Sequence, residues 1–234
     1  MVKVATTSRR GGSPRGGSRV GSGRKRAPAN RCDPRHDKRP TLDERVPVHA
    51  MLRTVDTVPR LRQRRIYRAI RRVLQRCLGR ADFRVIHVSI QRDHLHLIVE
   101  AQNQLALTRG MQRLTIIAAR AINAAVGRRG KVFKFRYKAK QITTHRYANN
   151  VLAYVLNNWR RHREDVRSTA ALDAYSSGPS FTGWTKQRRR WTSAETWEPL
   201  PVSPPRTSLL RVEWQWFGLL DPFFRPGPLE ASRR

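Results

Sequence analysis

The sequence predicts an α+β fold over residues 46–165, with two helices on one face of a four-stranded antiparallel sheet. Short runs rich in β-branched and aromatic residues alternate with longer stretches whose apolar residues recur every three or four positions. Their order along the chain is strand, helix, strand, strand, helix, strand. That order is typical of a ferredoxin-like sandwich (βαββαβ).

The first half of this pattern lies between Val48 and Gly79. Residues 48–53 form the first predicted strand. Pro59 opens a helical stretch, and Gly79 closes it as a glycine C-cap would. Apolar residues share one side of this stretch at helical spacing: Ile66, Ile70, Val73, Leu74, Cys77 and Leu78.

The second half begins with a hairpin. The strand 83–90 and the strand that starts at His94 are separated by a turn of only three residues. A helix is predicted from Gln104 to Val126, and a basic, aromatic fourth strand from Lys131 to Ile142. Thr144 is then an N-cap for a third helix that extends to about Arg163.

Charge is the strongest constraint on the partner. The 234 residues include 49 Lys and Arg against 16 Asp and Glu, a formal net charge of +33. A protein this basic is expected to bind polyanions, of which nucleic acids are the commonest. No apolar stretch approaches the roughly 20 residues of a membrane span. Cys32 and Cys77 form no motif and fit a reducing, cytoplasmic location.

The two flanking segments differ in composition. Residues 1–45 are rich in Gly, Ser, Pro and Arg and are predicted to be a disordered basic tail. Residues 166–234 form a Trp- and Pro-rich C-terminal extension, in which residues 208–214 are expected to form a short helix that packs on the core. Arg188, Arg189 and Arg190 are candidate phosphate contacts.

Two histidines flank one leucine at the start of the third strand. Successive strand residues point to opposite faces, so His94 and His96 project together while Leu95, Leu97 and Val99 face the two helices. The histidines are therefore expected on the uncovered face of the sheet. Two neutral imidazoles at this spacing suit one divalent metal ion.

The third predicted helix carries a second set of polar residues. Tyr147, Val151, Tyr154 and Asn158 share one side of the helix, and Tyr154 and Asn158 lie one turn apart. A tyrosine hydroxyl can act as a nucleophile, and an asparagine carbonyl is a ligand for a hard cation. Tyr147 is a rival nucleophile, but it has no Asn one turn later.

Together these residues resemble a known family. Asp93 to Val99 is similar to the HUH motif, a histidine–hydrophobic–histidine pair. Gly130 to Tyr137, followed by Tyr154-Val155-Leu156-Asn157-Asn158, resembles the downstream signature of single-tyrosine HUH transposases, and within them the REP-associated tyrosine transposases. Many relatives have proline after the asparagine, where this chain has Trp159.

The resemblance implies a site and a reaction. His94, His96 and Asn158 would hold Mg²⁺ or Mn²⁺, and Tyr154 would attack phosphorus in single-stranded DNA to form a 5′-phosphotyrosine. The expected partner is single-stranded DNA that carries a hairpin or palindromic repeat, in the nucleoid of a bacterial cytoplasm. The protein would act as a monomer or as a homodimer.

Basic residues on the first helix and the fourth strand are expected to hold the DNA backbone. The predicted contacts are Arg64, Arg68, Arg71, Lys131, Lys134, Arg136, Lys138, Lys140 and Arg160. One alternative is a catalytically idle, domesticated DNA-binding protein. Another is an RNA-binding protein on the same fold, although His94 and His96 stand where such proteins carry stacking aromatics.

Overall fold

The computed structural model describes residues 41–43, 45–166, 168–185 and 198–229. The predictions for residues 1–40 and for Arg188 to Arg190 lie outside the described residues. The main elements are β1 (Val48–Arg53), α1 (Arg64–Gln75), β2 (Phe83–Ile90), β3 (His94–Ala101), α2 (Gln104–Val126), β4 (Lys138–Gln141), α3 (His145–Arg161) and α4 (Ser208–Arg211). Two 3₁₀ turns follow α3, at Gly178–Ser180 and Glu213–Phe217.

The four strands form one antiparallel sheet in the order β2-β3-β1-β4. The two central strands are β3 and β1. From β1 the chain runs through α1 to the edge strand β2, and the β2–β3 hairpin returns it to the centre of the sheet. This is the topology of the predicted ferredoxin-like sandwich, and it confirms the fold class. The described helices include none that is long and apolar enough to cross a membrane.

One face of the sheet packs against α1 and α2. Leu95, Leu97 and Val99 of β3 lie in the same buried cluster as Ile66 and Ile70 of α1, as the alternation of the sequence predicts. The helix α2 has the predicted bounds. It begins after Asn103, whose side chain accepts a hydrogen bond of 2.9 Å from the Ala106 amide, and it ends at Gly127, whose φ is 66°.

The predicted start of α1 at Pro59 is wrong. The helix begins at Arg64 because residues 59–63 form an irregular, bent segment that is held against the β2–β3 turn. The Leu61 amide donates to the Arg92 carbonyl at 2.8 Å, and the Leu61 side chain is fully buried. Arg62 therefore lies before the helix and not on its surface.

The predicted fourth strand is too long. Pairing with β1 is regular only over β4, which is four residues long. Upstream, Phe133 forms an isolated bridge with Thr54, and the Lys134 amide donates to the Arg53 carbonyl at 2.8 Å. Val132 and Phe133 are buried in the core on the α1–α2 side. Residues 135–137 interrupt the ladder between these two paired segments.

The second face of the sheet is covered by α3, although the sequence led us to expect it uncovered. Ile86 and Ile98 project from this face and are buried with Val151 and Val155 of α3. Ile98 belongs to the histidine strand, where Leu97, Ile98 and Val99 are apolar in succession and so require cover on both sides of the sheet. The helix begins at the predicted N-cap Thr144 and ends at Arg161.

The C-terminal residues extend this second layer. As predicted, a short helix (α4) packs on the core through Leu209 and Leu210, and Trp214 in the following 3₁₀ turn is 3% exposed. The buried carboxylate of Glu100 on β3 accepts bonds of 2.8 and 2.9 Å from the amides of Arg206 and Thr207. The segment is therefore anchored to the sheet beside α3.

Candidate active site

The register between β1 and β3 places three histidines on the face covered by α3. Arg53 pairs with His94, Met51 with His96, and His49 with Ile98. Because side chains alternate along each strand, His49 points to the same face as His94 and His96. The rings of His49 and His96 stack with centroids 5.1 Å apart, and those of His94 and His96 are 4.7 Å apart.

The polar atoms of this cluster are linked in series. Asp93 Oδ1 lies 2.7 Å from His94 Nδ1, His94 Nε2 lies 3.1 Å from His96 Nε2, and His96 Nδ1 lies 3.0 Å from His49 Nε2. The Nδ1 atoms of His94 and His96 thus each have a partner, which is Asp93 for His94 and His49 for His96. The Nε2 atoms of the two rings point towards each other.

This convergence fits a divalent cation. Two ligands at right angles, each about 2.1 Å from an octahedral cation, lie about 3 Å apart, which is the separation of the two Nε2 atoms. The described residues contain no group of three or more His, Cys, Asp or Glu side chains placed to hold a metal ion. A cation between the imidazoles therefore needs further ligands of another type.

The imidazoles are electrostatically suited to this role. Burial, followed by the nearby His49 and His94, holds the pKa of His96 well below its usual value. Burial and the Lys140 ammonium lower the pKa of His49 to about 4. Both rings are therefore neutral at neutral pH, the state in which imidazole binds metals. Although burial opposes it, the bond with His94 and the charge of Arg53 hold the pKa of Asp93 below its usual value.

Helix α3 brings its polar stripe to the histidines. The Tyr154 ring packs edge-on against His96 at 5.3 Å between centroids, and against His49 at 6.2 Å. Asn158, one turn later, is fully buried, and both its amide nitrogen and its carbonyl oxygen have no hydrogen-bond partner among the described residues. An unpaired buried amide is unfavourable, and a bound cation would satisfy its oxygen.

Two histidines of this cluster were not predicted. His49 could have been found from the period of two in β1, since residue 49 shares a face with residues 51 and 53. His162 lies one turn beyond Asn158, with its ring 5.4 Å from that of His94. His162 could have been predicted because positions 154, 158 and 162 are four residues apart and so share one side of the helix. Burial and the neighbouring His94 lower the pKa of His162.

The cluster opens into a cavity of about 620 Å³. Tyr147 lies in the same cavity as Tyr154, but its environment differs: its ring is 9% exposed, lies 4.5 Å from the Lys140 ammonium, and has a pKa that burial raises to about 12. Loss of its proton is thereby disfavoured. The cavity is lined by His49, Met51, His96, Lys138, Ala139, Lys140, Tyr147, Tyr154, Arg161, Pro228 and Leu229.

The predicted basic residues fall into three groups. Lys138 and Lys140 are exposed and line this cavity. Lys131 and Arg136 are exposed elsewhere, with Arg136 beside α2, and Lys134 lies 3.8 Å from the Asp56 carboxylate. The third group is on α1, which covers the opposite face of the sheet. There Arg64 and Arg68 are exposed, and Arg71 forms an ion pair with Glu198.

Arg160 is not placed to contact DNA, and that prediction is corrected. It is 8% exposed, and its guanidinium donates to the carbonyls of Pro222 and Ala171 at 2.7 and 2.9 Å. A third bond, of 3.1 Å, reaches the Asp165 carboxylate. Its donors join the end of α3 to the C-terminal segment, so the residue is structural. Helix periodicity alone does not reveal such carbonyl partners.

Comparison with known proteins adds a family. Residues 44–158 match the family model described as "Transposase IS200 like". No curated protein matches the chain.

Solved structures that are similar to the chain include the following two. One is a REP-associated tyrosine transposase bound to a REP hairpin, at 12% identity and a TM-score of 0.45, covering 55% of this chain and 74% of that chain. The other is a bacterial tRNA(His) guanylyltransferase (Thg1)-like protein in complex with GTP, at 12% identity and a TM-score of 0.38, covering 53% and 65%. The family match runs from before β1 to Asn158, and through this region the chain is similar to IS200-like transposases.

Proposed function

We propose that this protein cleaves and rejoins single-stranded DNA by transesterification, with Tyr154 as the nucleophile. The observation that carries the proposal is the contact between the rings of Tyr154 and His96, which line one cavity, while His96 is itself paired with His94. A nucleophile beside a cation site is the arrangement that phosphoryl transfer requires. Tyr147 is poorly suited to this role because burial raises its pKa to about 12 and disfavours the loss of its proton.

The side chains of His94, His96 and Asn158 would hold a divalent cation, Mg²⁺ or Mn²⁺. When bound, such an ion acts as a Lewis acid on the non-bridging oxygens of the scissile phosphate. Asp93 fixes the ring of His94 through Nδ1 and so keeps a lone pair on its Nε2. The unpaired Asn158 carbonyl supplies an oxygen that the imidazoles lack.

The bond changes balance without an energy source. The phenol oxygen of Tyr154 forms a bond to phosphorus as the bond from phosphorus to the 3′-oxygen breaks. The phenol loses a proton and the released 3′-oxygen gains one, which leaves a 5′-phosphotyrosine and a 3′-hydroxyl. Attack by the 3′-hydroxyl of another strand reverses the step, so one phosphodiester is exchanged for another.

The DNA partner is inferred from charge and cavity. Lys138 and Lys140 lie at the mouth of the histidine cavity and would bind the phosphates on either side of the scissile bond. We propose a single strand that carries a hairpin or palindromic repeat, bound by a monomer or a homodimer in a bacterial nucleoid. In this assignment residues 46–165 are the catalytic domain, and residues 166–234 are an extension whose described part packs against α3.

The proposal is tested by cleavage of a pool of labelled single-stranded hairpins with randomised flanks, in the presence of Mn²⁺. Wild-type protein is expected to form a covalent DNA adduct that migrates as a single shifted band on a denaturing gel. The Tyr154→Phe variant is expected to form none, whereas Tyr147→Phe, which removes the other phenol of the same cavity, retains it. Equal adduct from wild type and Tyr154→Phe would remove Tyr154 from the mechanism.

A further inference from the structure

The contact between His49 and His96 has no role in the steps above. His49 Nε2 lies 3.0 Å from His96 Nδ1, and the two rings are stacked with an interplanar angle of 24°. Because the contact joins two ring nitrogens, one of them carries the hydrogen and the other accepts it. The direction of this bond decides which nitrogen of His96 keeps a lone pair.

Only one direction allows His96 to bind a cation. If His49 donates, neutral His96 accepts at Nδ1 and carries its hydrogen on Nε2, which then points at His94 Nε2, 3.1 Å away. If His96 donates from Nδ1, its Nε2 has a free lone pair. His94 already carries its hydrogen on Nδ1, since the Asp93 carboxylate 2.7 Å from that atom can only accept.

We propose that His49 is a positioning residue that accepts the Nδ1 hydrogen of His96 and so turns its Nε2 lone pair towards the cation. This inference rests on the proposed cation site. In the cation-free protein, His96 donates from Nε2 to His94 and accepts from His49. When a cation binds, the hydrogen of His96 moves to Nδ1 and that of His49 to its own Nδ1. Each ring stays neutral, and no proton is released.

The surroundings explain why His49 has this role. His96 is 2% exposed, so water has little access to its Nδ1. Metal-binding histidines commonly donate the second ring hydrogen to a carboxylate or carbonyl, as His94 does to Asp93. For His96 the corresponding acceptor is His49, which lies on the adjacent strand β1. Without it, the Nδ1 hydrogen of His96 would be buried with no acceptor.

A matched pair of variants of the full-length chain tests the acceptor. His49→Gln places a carbonyl oxygen near the position of Nε2, whereas His49→Met fills a similar volume and offers no comparable acceptor. Titration with Mn²⁺, followed by electron paramagnetic resonance, is expected to show about tenfold weaker binding for His49→Met. His49→Gln should bind within about twofold of wild type. Equal weakening in both variants would indicate a packing role and overturn the proposal.

Nitrogen-15 chemical shifts of the ring atoms test the tautomer directly. In wild type, His96 is expected to carry its hydrogen on Nε2 without cation and on Nδ1 with saturating Mg²⁺. An unchanged tautomer overturns the inference, and so does His49→Met with wild-type Mn²⁺ affinity. In both cases wild-type protein still binds the cation, so the proposed cation site is not contradicted. If wild-type protein binds no Mn²⁺, both this inference and the proposed cation site are wrong.

Discussion

Asn158 is the one side chain in the candidate site whose polar atoms are fully buried and unpaired among the described residues. In the cation-free protein this arrangement opposes folding, because a buried unsatisfied amide costs about 1–3 kcal/mol. It is the kind of local cost that proteins retain at functional sites. Asn158 is therefore both a destabilising residue in the cation-free protein and a proposed ligand of the cation.

Replacement of Asn158 by leucine separates these two effects. Without cation, we expect Asn158→Leu to raise the free energy of unfolding by about 1–3 kcal/mol, since the unpaired amide is removed. Urea unfolding measures this change, and Mn²⁺ titration of the same variant should show a loss of binding. A less stable variant that still binds Mn²⁺ as wild type does would contradict the assignment of Asn158.

His87 gives a second prediction at the level of a single side chain. It is buried on β2, where its Nδ1 lies 3.1 Å from the Ser177 hydroxyl, and burial lowers its pKa to about 4. Between pH 6.5 and 4 the unfolded chain binds a proton that folded His87 does not. Stability is therefore full above pH 6.5 and falls by about 3 kcal/mol as the pH drops to 4.

The His87→Gln variant removes this contribution. Its free energy of unfolding is expected to fall less steeply than that of wild type between pH 6.5 and 4, by up to about 1.4 kcal/mol per pH unit. Buried His49 and His96 still contribute to the remaining slope. Urea unfolding at several pH values measures the difference. Parallel curves for wild type and variant would show that His87 is protonated in the folded protein.

Between elements, one buried ion pair joins the segment before α1 to the C-terminal residues. Arg62 and Asp173 form two bonds, of 2.8 and 2.9 Å, with side chains only 10% and 1% exposed. The arginine stands in a basic run that the sequence suggested as a DNA-binding surface. Its partner is more than a hundred residues away, and no local pattern in the sequence indicates it.

Breaking this pair should destabilise the protein without a change in DNA affinity. Arg62→Met is expected to lower the free energy of unfolding by about 3–5 kcal/mol, because it leaves a buried carboxylate unpaired. Arg60→Met is the matched control, since the Arg60 side chain is 57% exposed and its contact with Glu164 is 3.4 Å long. It should cost under about 1 kcal/mol. Similar losses in both variants would contradict the structural role of Arg62.

The elements themselves show what the sequence could predict. Apolar periodicity and caps were sufficient for β1 and for both ends of α2, because these depend on local backbone preferences. The start of α1, the short β4 and the cover over the His94–His96 face depend on distant partners. Ile98 did indicate that cover, since it is an apolar residue on the face predicted to be wet. His94, His96 and Tyr154 come together as their strand and helix periods imply, whereas His49 required the strand pairing.

Across the chain as a whole the net charge is +33, and among the described residues exposed basic side chains lie on both sides of the sheet. Lys138 and Lys140 lie at the candidate site, whereas Arg68 and Arg72 are exposed on α1, on the other side. Each charge that contacts phosphate adds to affinity and to its salt dependence. In the proposed mechanism, only the charges beside the histidines also position the phosphate that reacts.

Two charge-matched double variants test this division. Lys138→Gln/Lys140→Gln and Arg68→Gln/Arg72→Gln each remove two positive charges. We expect the cavity pair to reduce the salt slope of single-stranded DNA binding by about one per charge in contact with phosphate. Only this pair should also slow adduct formation at saturating DNA. If the α1 pair slows it equally, the strand is not held at the cavity mouth.

The most direct test of the account is the identity of the residue that becomes linked to DNA. After reaction with hairpin-bearing single strands and nuclease trimming, tryptic digestion should yield the peptide 147–160, which contains both tyrosines of the cavity. Fragmentation in a mass spectrometer is expected to place a 5′-phosphonucleotide on Tyr154. A nucleotide on Tyr147, or no adduct on this peptide while DNA is cleaved, would contradict the mechanism proposed for this protein.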